Sequence, residues 1–403
     1  MAELDIAKHN FEFLEYIHWG KHRISDPDAT RLRYLVTPTE AAGAFRLPIP
    51  PESGYLPGLL VKDEPFVLPQ ENIATGIDTI SLGKIIHHGQ LTGEDFNISI
   101  RDITRHGLIA GTTGSGKTNT CLHLLSQLWS KYNVPFLVMY PIDKPDYRLL
   151  MADPDVKEKL LIYTLGDETT SPFRFNPFHV ADNILLKTHI SLLMRCFSAA
   201  FSMWDPLPAI YRESLRKVYQ AGGWDITHDI GKTGRMRNAT TPTMAGFYEK
   251  LVEVAEDMTI GFDEEAKGRV RQSAEIRLRD LLLNAGDIVN SSKPAPMNQI
   301  LEHPTVMELG RVGSSQDAAL IMGFLIVQLV GELQSSHKAL TFSERKRPIR
   351  HVTLIEEAHR LMAAGHRGSE DLANPQAKGG EDFANILAEV RGFGEGILIS
   401  SLV

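Results

Sequence analysis

The residues Gly111-Thr112-Thr113-Gly114-Ser115-Gly116-Lys117-Thr118 fit the spacing G-x-x-x-x-G-K-[ST]. The apolar segment "LIA" runs into them and "NTCLHLLSQLW", with apolar residues at helical spacing, runs out. A strand, a glycine loop and a helix in that order present backbone N–H groups to a phosphate chain. Lys117 then reaches the β- and γ-phosphates, the Thr118 hydroxyl is a magnesium ligand, and Asn119 is counted with the loop among the nucleotide-binding residues. The chemistry implied is binding of ATP with Mg2+.

A second group able to do chemistry is Glu356-Glu357 in "HVTLIEEAHRL", where the apolar run Val352–Ile355 reads as a buried strand. A carboxylate at the tip of such a strand is costly unless it has a partner. Beside a nucleotide, Glu356 suits holding the magnesium, and Glu357 suits orienting and deprotonating the attacking water. The plainer reading is an acidic pair at a helix N-terminus, where the helix dipole favours negative charge. The glycine loop weighs the balance towards catalysis.

These groups need a framework. The chain has 403 residues, of which 43% are hydrophobic and 23% charged, enough for a sizeable core and two or three folding units. Its formal net charge of −8 excludes a surface that is basic throughout, but leaves room for a basic channel. The two cysteines, Cys121 and Cys196, offer neither a disulfide framework nor a metal site. His18 and His22 have helical ligand spacing but no third ligand, so no structural metal is expected. The loops Gly231–Asn238 and Ser343–Pro348 are the most basic and read as solvated rather than as phosphate contacts. No basic-then-apolar leader opens the sequence and no unbroken run of 18 apolar residues occurs, so a cytoplasmic protein with no membrane partner is expected.

Texture divides the chain. Residues 1–95 read as an accessory domain with a helical start and short strands broken by proline and glycine. Residues 96–182 begin a parallel sheet, 183–300 are a helical insertion, and 301–403 resume the sheet, with a core expected to be incomplete at its C-terminus. The fold class expected is α/β.

Several words, in order, carry a family resemblance: "VTPTEAAGAFRLP", "LGKIIHHGQLTGEDFNISIRDITRHGLIAGTTGSGKTNT", "FRFNPF", "LIEEAHRLM" and "EVRGFGEGILISS". The chain resembles the HerA branch of the HerA/FtsK superfamily of hexameric DNA-pumping ATPases. That resemblance implies a RecA-like core with a mainly parallel sheet and a small β-rich N-terminal domain. It also implies a homo-oligomeric, hexameric ring, double-stranded DNA as partner, and ATP hydrolysis at subunit boundaries. Arg105 and Arg391 match family arginines that serve the nucleotide at such a boundary. Each read by itself is an ordinary surface arginine. Asp143, in the family's acidic turn, is equally a turn cap and stays outside the catalytic set. The family usually has a polar residue, often glutamine, at the tip of the last strand; here Ser400 or Ser401 stands there. Two other functions share this core: a nucleotide-dependent scaffold that activates an effector such as a nuclease in anti-phage defence, and an export ATPase.

Overall fold

The computed structural model describes residues 78–87, 90–182, 184–201, 203–226, 239–293, 295–341, 349–358 and 390–401. The chain divides into two compact units, Met1–Val67 and Leu68–Val403, and every described residue lies in the second. The helical start, His18 and His22, and the basic loops at 231–238 and 343–348 lie outside the described residues.

A two-stranded antiparallel hairpin comes first, β1 (Thr79–His87) and β2 (Gln90–Ser99). A short helix, α1 (Ile100–Ile103), leads into β3 (Gly107–Ala110), α2 (Lys117–Tyr132) and β4 (Phe136–Tyr140). A 3-10 segment, Asp146–Ala152, and α3 (Pro154–Lys157) precede β5 (Leu161–Thr164). Then come α4 (Leu186–Ala200), α5 (Leu207–Ala221), α6 (Met244–Met258), α7 (Glu264–Val289) and α8 (Met297–Glu302). The chain returns through β6 (Thr305–Glu308), α9 (Ser315–Ala339), β7 (His351–Glu356) and β8 (Glu395–Ser401).

Strands β3 to β8 form one sheet in the order β3-β8-β7-β4-β6-β5, and every pairing in it is parallel. Parallel strands covered on both faces should be apolar on both, and β4, "FLVMY", is buried at every residue. Its side chains alternate: Leu137 and Met139 join one core, Phe136, Val138 and Tyr140 the other. The first core contains α4 to α9; the second contains α2, the 3-10 segment and α1. The helices between β5 and β6 thus form a layer on one face of the sheet. Side-chain caps start three helices: Thr243 accepts from the Gly246 N–H at α6, Asp263 from Ala266 at α7, and Ser314 from Asp317 at α9.

Helix α9 is both long and apolar. Its segment Ser315–Lys338 is long and apolar enough to span a membrane, although polar residues interrupt the run, and 78% of its most apolar stretch is buried inside the fold. It is apolar all round because helices and sheet surround it.

The hairpin is fastened to α2 rather than to the sheet. Gln127 Nε2 donates to the Ser81 carbonyl at 2.8 Å, Ser81 N–H donates back to Gln127 Oε1 at 3.3 Å, and Tyr132 Oη donates to the Thr79 carbonyl at 2.6 Å. The helix that follows the glycine loop is therefore held from its outer side as well as from the sheet.

Two stability predictions follow from the helical layer. Phe197 is fully buried and its ring meets Phe201, Tyr211, Phe247 and Phe324 at centroid distances of 6.1, 5.4, 5.4 and 5.3 Å. Phe197→Ala should cost about 3–5 kcal/mol in denaturant unfolding. Burial holds the His189 imidazole down at about 4, against an opposing hydrogen bond to the Pro177 carbonyl. Between that value and its ordinary 6.5 the unfolded chain binds the extra proton, so stability should fall as pH drops through this window. The slope should be about 1.4 kcal/mol per pH unit, and His189→Gln should flatten it.

Candidate nucleotide site

The glycine loop occupies the C-terminal edge of the sheet, leaving β3 at Ala110 and entering α2 at Lys117. Its backbone needs glycine. Gly114 and Gly116 have φ of +78° and +92°, and a Cβ on Gly111 would come 2.5 Å from Ser115 Oγ. Gly116 caps α2 with no side-chain hydrogen bond, and no acid sits in the first turn. The positive end of a 16-residue helix is left open to an anion. The Ser115 N–H bonds the Thr112 carbonyl at 3.2 Å, closing the loop on itself.

Lys117 turns back over this loop. Its Nζ donates to the carbonyls of Gly111 at 2.9 Å and Thr112 at 3.2 Å. The ammonium is thus held at the mouth of the loop, where a phosphate oxygen would replace a carbonyl as acceptor. Thr112, Thr113, Gly114, Ser115 and Asn119 are exposed, while Gly111, Gly116, Lys117 and Thr118 are half-buried.

Register brings the acidic pair alongside. Ile109 of β3 pairs with Ser400 of β8, and Ser400 pairs with Glu356 of β7. Two inter-strand steps, about 10 Å in all, separate Ile109 from Glu356. Glu356 is 4% exposed and accepts a short hydrogen bond from Tyr147 Oη, a hydroxyl carried by the 3-10 segment after β4. Glu357 is half-buried with φ of +51°, a left-handed backbone that non-glycine residues adopt at a cost. Such conformations cluster at functional sites, at roughly 1–3 kcal/mol each.

Ser400 is fully buried, and its Oγ lacks a hydrogen-bond partner. Ser401, level with Ala110, is half-buried. Cys121 in the first turns of α2 lies near the same carboxylate. Burial first, then the charge of Glu356, raises its thiol to about 11, with the Tyr147 and Ser400 hydroxyls pulling the other way. This cysteine is a buried, protonated packing group. The Thr118 hydroxyl at the start of α2 and the buried Glu356 carboxylate at the end of β7 are oxygen donors of the kind a hard cation such as Mg2+ takes.

The two arginines sit elsewhere. Arg105 precedes β3 and Arg391 opens a 3-10 turn before β8, so both mark the N-terminal edge of the sheet, and both are exposed. The path along β3 from Arg105 to Gly111 is about 20 Å. Arg105 makes a 3.3 Å ion pair with Asp102, with side-chain exposures of 70% and 52%. In water such a pair contributes roughly 0–1 kcal/mol and releases easily. Next to it, His106 Nδ1 accepts the Ile397 N–H at 3.1 Å, joining the bases of β3 and β8.

Asp143 belongs to a different cleft of about 160 Å³ at the ends of β4, β5 and β6. It pairs with Arg311 at 3.4 Å, and Glu308 holds Arg148 through two 2.7 Å bonds. Both arginines that line it, Arg148 and Arg311, are paired with acids.

Tyr147 was not legible as part of the site. It stands in "DKPDYRLL", and its contact with Glu356 spans 209 residues. No spacing rule connects the two.

Comparisons with known proteins bear on the fold and the family. Among solved structures, two of the bacterial conjugative coupling protein TrwBdeltaN70 match. The unbound monoclinic form has a TM-score of 0.51 at 14% identity, covering 83% of this chain and 67% of that one. The trigonal form in complex with sulphate has 0.50 at 15%, covering 82% and 69%. VirB4 of Thermoanaerobacter pseudethanolicus gives 0.47 at 19%, covering 82% and 79%. At these identities the TrwB likeness speaks to the fold, a RecA-like P-loop core with a mainly parallel sheet. No curated protein sequence matches significantly. The family model described as "Helicase HerA, central domain" matches residues 81–328, spanning the glycine loop, the helical layer and most of α9. The chain is therefore a member of the HerA central-domain family of P-loop ATPases.

Proposed function

We propose that the protein is a ring-forming motor that hydrolyses ATP at the boundaries between its subunits and uses the energy to move double-stranded DNA. The observation that carries this reading is the placement of Arg105 and Arg391 at the edge of the sheet opposite the glycine loop. Arg105 lies about 20 Å along the chain from its own subunit's loop, and Arg391 opens the turn into β8 at the same edge. A copy that presents its N-terminal sheet edge to the next copy's nucleotide would supply them. Six such head-to-tail contacts close a hexamer.

Within one site the roles divide by position. The loop N–H groups and Lys117 bind the β- and γ-phosphates. Thr118 and Glu356 would hold the magnesium, which when bound would supply positive charge against the phosphates. Glu357, beyond the strand end, takes the proton of the attacking water. The neighbour's arginine meets the negative charge spread over the γ-phosphate oxygens. Each site is then silent until the next subunit is in place.

Lys117→Ala should abolish ATP binding measured with a fluorescent analogue, because it removes the ammonium at the mouth of the loop. Glu357→Gln should keep binding and slow single-turnover hydrolysis by about 10²–10⁴-fold. Trapping of ATP by Glu356→Gln instead would exchange the two roles.

Duplex DNA should raise steady-state hydrolysis several-fold at low salt, and the stimulation should fall steeply as salt rises, since counterions compete for the phosphates. Arg105→Ala should lower turnover with ATP affinity kept, and mixing it with Glu357→Gln subunits should restore part of the activity. Turnover that ignores DNA at low salt but rises with an effector protein would put the scaffold in place of the motor.

A further inference from the structure

The magnesium-binding carboxylate of the proposed motor is not held by its own strand alone. Glu356 ends β7 as a buried acid, and such a group needs either a cation or a hydrogen-bond donor. Its donor is Tyr147 Oη, from the 3-10 segment Asp146–Ala152.

That segment is built to bring the hydroxyl there. Tyr147 is 1% exposed and packs in the core that contains Cys121, Leu124 and Leu125 of α2. Its ring stands edge-on to Tyr140, the last residue of β4, with centroids 5.2 Å apart and planes at 70°. Tyr140 Oη in turn donates to Asp146 Oδ2 at 2.8 Å, which pins the start of the segment to the end of the strand. At the same point the fold therefore joins the helix after the glycine loop, the tip of β4 and the tip of β7.

We propose that Tyr147 is a positioning residue that fixes the Glu356 carboxylate for magnesium, holding one oxygen by its hydroxyl and leaving the other for the ion's ligand shell. This rests on the motor reading, which supplies the nucleotide and the metal. Partners that orient a metal ligand in this way raise metal affinity without touching the metal, typically by 10–100-fold. The effect should thus appear in magnesium dependence and not in the loop's grip on phosphates, which the N–H groups and Lys117 provide.

The test uses the full chain and a fluorescent ATP analogue. Binding is measured first in EDTA and then as Mg2+ is added, for the parent, Tyr147→Phe, Glu356→Asp and the double variant. Tyr147→Phe keeps the ring and its packing on Tyr140. It should need about tenfold more Mg2+ for half-saturation of the signal, with unchanged binding in EDTA and an unchanged melting temperature. Glu356→Asp draws the carboxylate back from the hydroxyl, so it should weaken magnesium as well, and the double variant should be no weaker than Glu356→Asp. A Tyr147→Phe curve that overlays a magnesium-responsive parent overturns the proposal. So does equal loss in EDTA, which would make the hydroxyl a prop of the fold. A parent-like Glu356→Asp curve overturns it even if Tyr147→Phe does not fold. A parent that binds no nucleotide at all removes the motor reading and this proposal with it.

Discussion

The site depends on two ladders of main-chain hydrogen bonds, from β3 to β8 and from β8 to β7. Parallel register makes Ile109, Ser400 and Glu356 level with one another. A shift of one residue in either ladder would turn Glu356 to the opposite face of the sheet and carry it away from the loop. The register is secured by apolar residues on both faces of β7 and by α1, against which β8 lies so closely that a Cβ on Gly396 would come 2.8 Å from Ile103. At the far end of the same strands His351 Nδ1 bonds Glu395 at 2.9 Å, and Thr353 Oγ1 bonds it at 2.6 Å. A buried network of this kind disfavours slippage, because any other pairing leaves the Glu395 carboxylate without partners.

Given that sheet, the two edges have different chemistry. The C-terminal edge carries the open end of α2, Lys117, the acid pair and buried hydroxyls. The N-terminal edge carries Arg105 and Arg391, exposed to solvent. In the proposed motor the first edge receives the phosphates and the second offers a guanidinium to the next copy.

Some of this was legible in the sequence. The glycine loop was readable because its constraint is local: positive φ at Gly114 and Gly116 and a strand–helix junction are written in consecutive residues. Glu356 and Glu357 stood out because acids end an apolar run. The helical character of α4, α5 and α7 followed from spacing, and the layer they form on the sheet did not, since that requires knowing which face of β4 they cover. Helix α9 shows the limit of composition, because a buried core helix and a membrane span are apolar for the same reason, the absence of water. Tyr147 was hidden, since its role arises where the end of β4 meets the end of β7 in space. The relation between the arginines and the loop also needed the strand directions, which no single segment encodes.

The central claim is that ATP binds at the loop of one subunit and is completed by an arginine of the next. The most direct measurement is an electron cryomicroscopy structure of the assembled protein with Mg2+ and a non-hydrolysable ATP analogue. The account predicts that Lys117 leaves the Gly111 and Thr112 carbonyls for the β- and γ-phosphates. It also predicts that Arg105 or Arg391 of the adjacent copy lies within hydrogen-bond distance, about 3 Å, of the γ-phosphate. A nucleotide whose γ-phosphate meets side chains of its own subunit alone, with both arginines facing solvent, would contradict it.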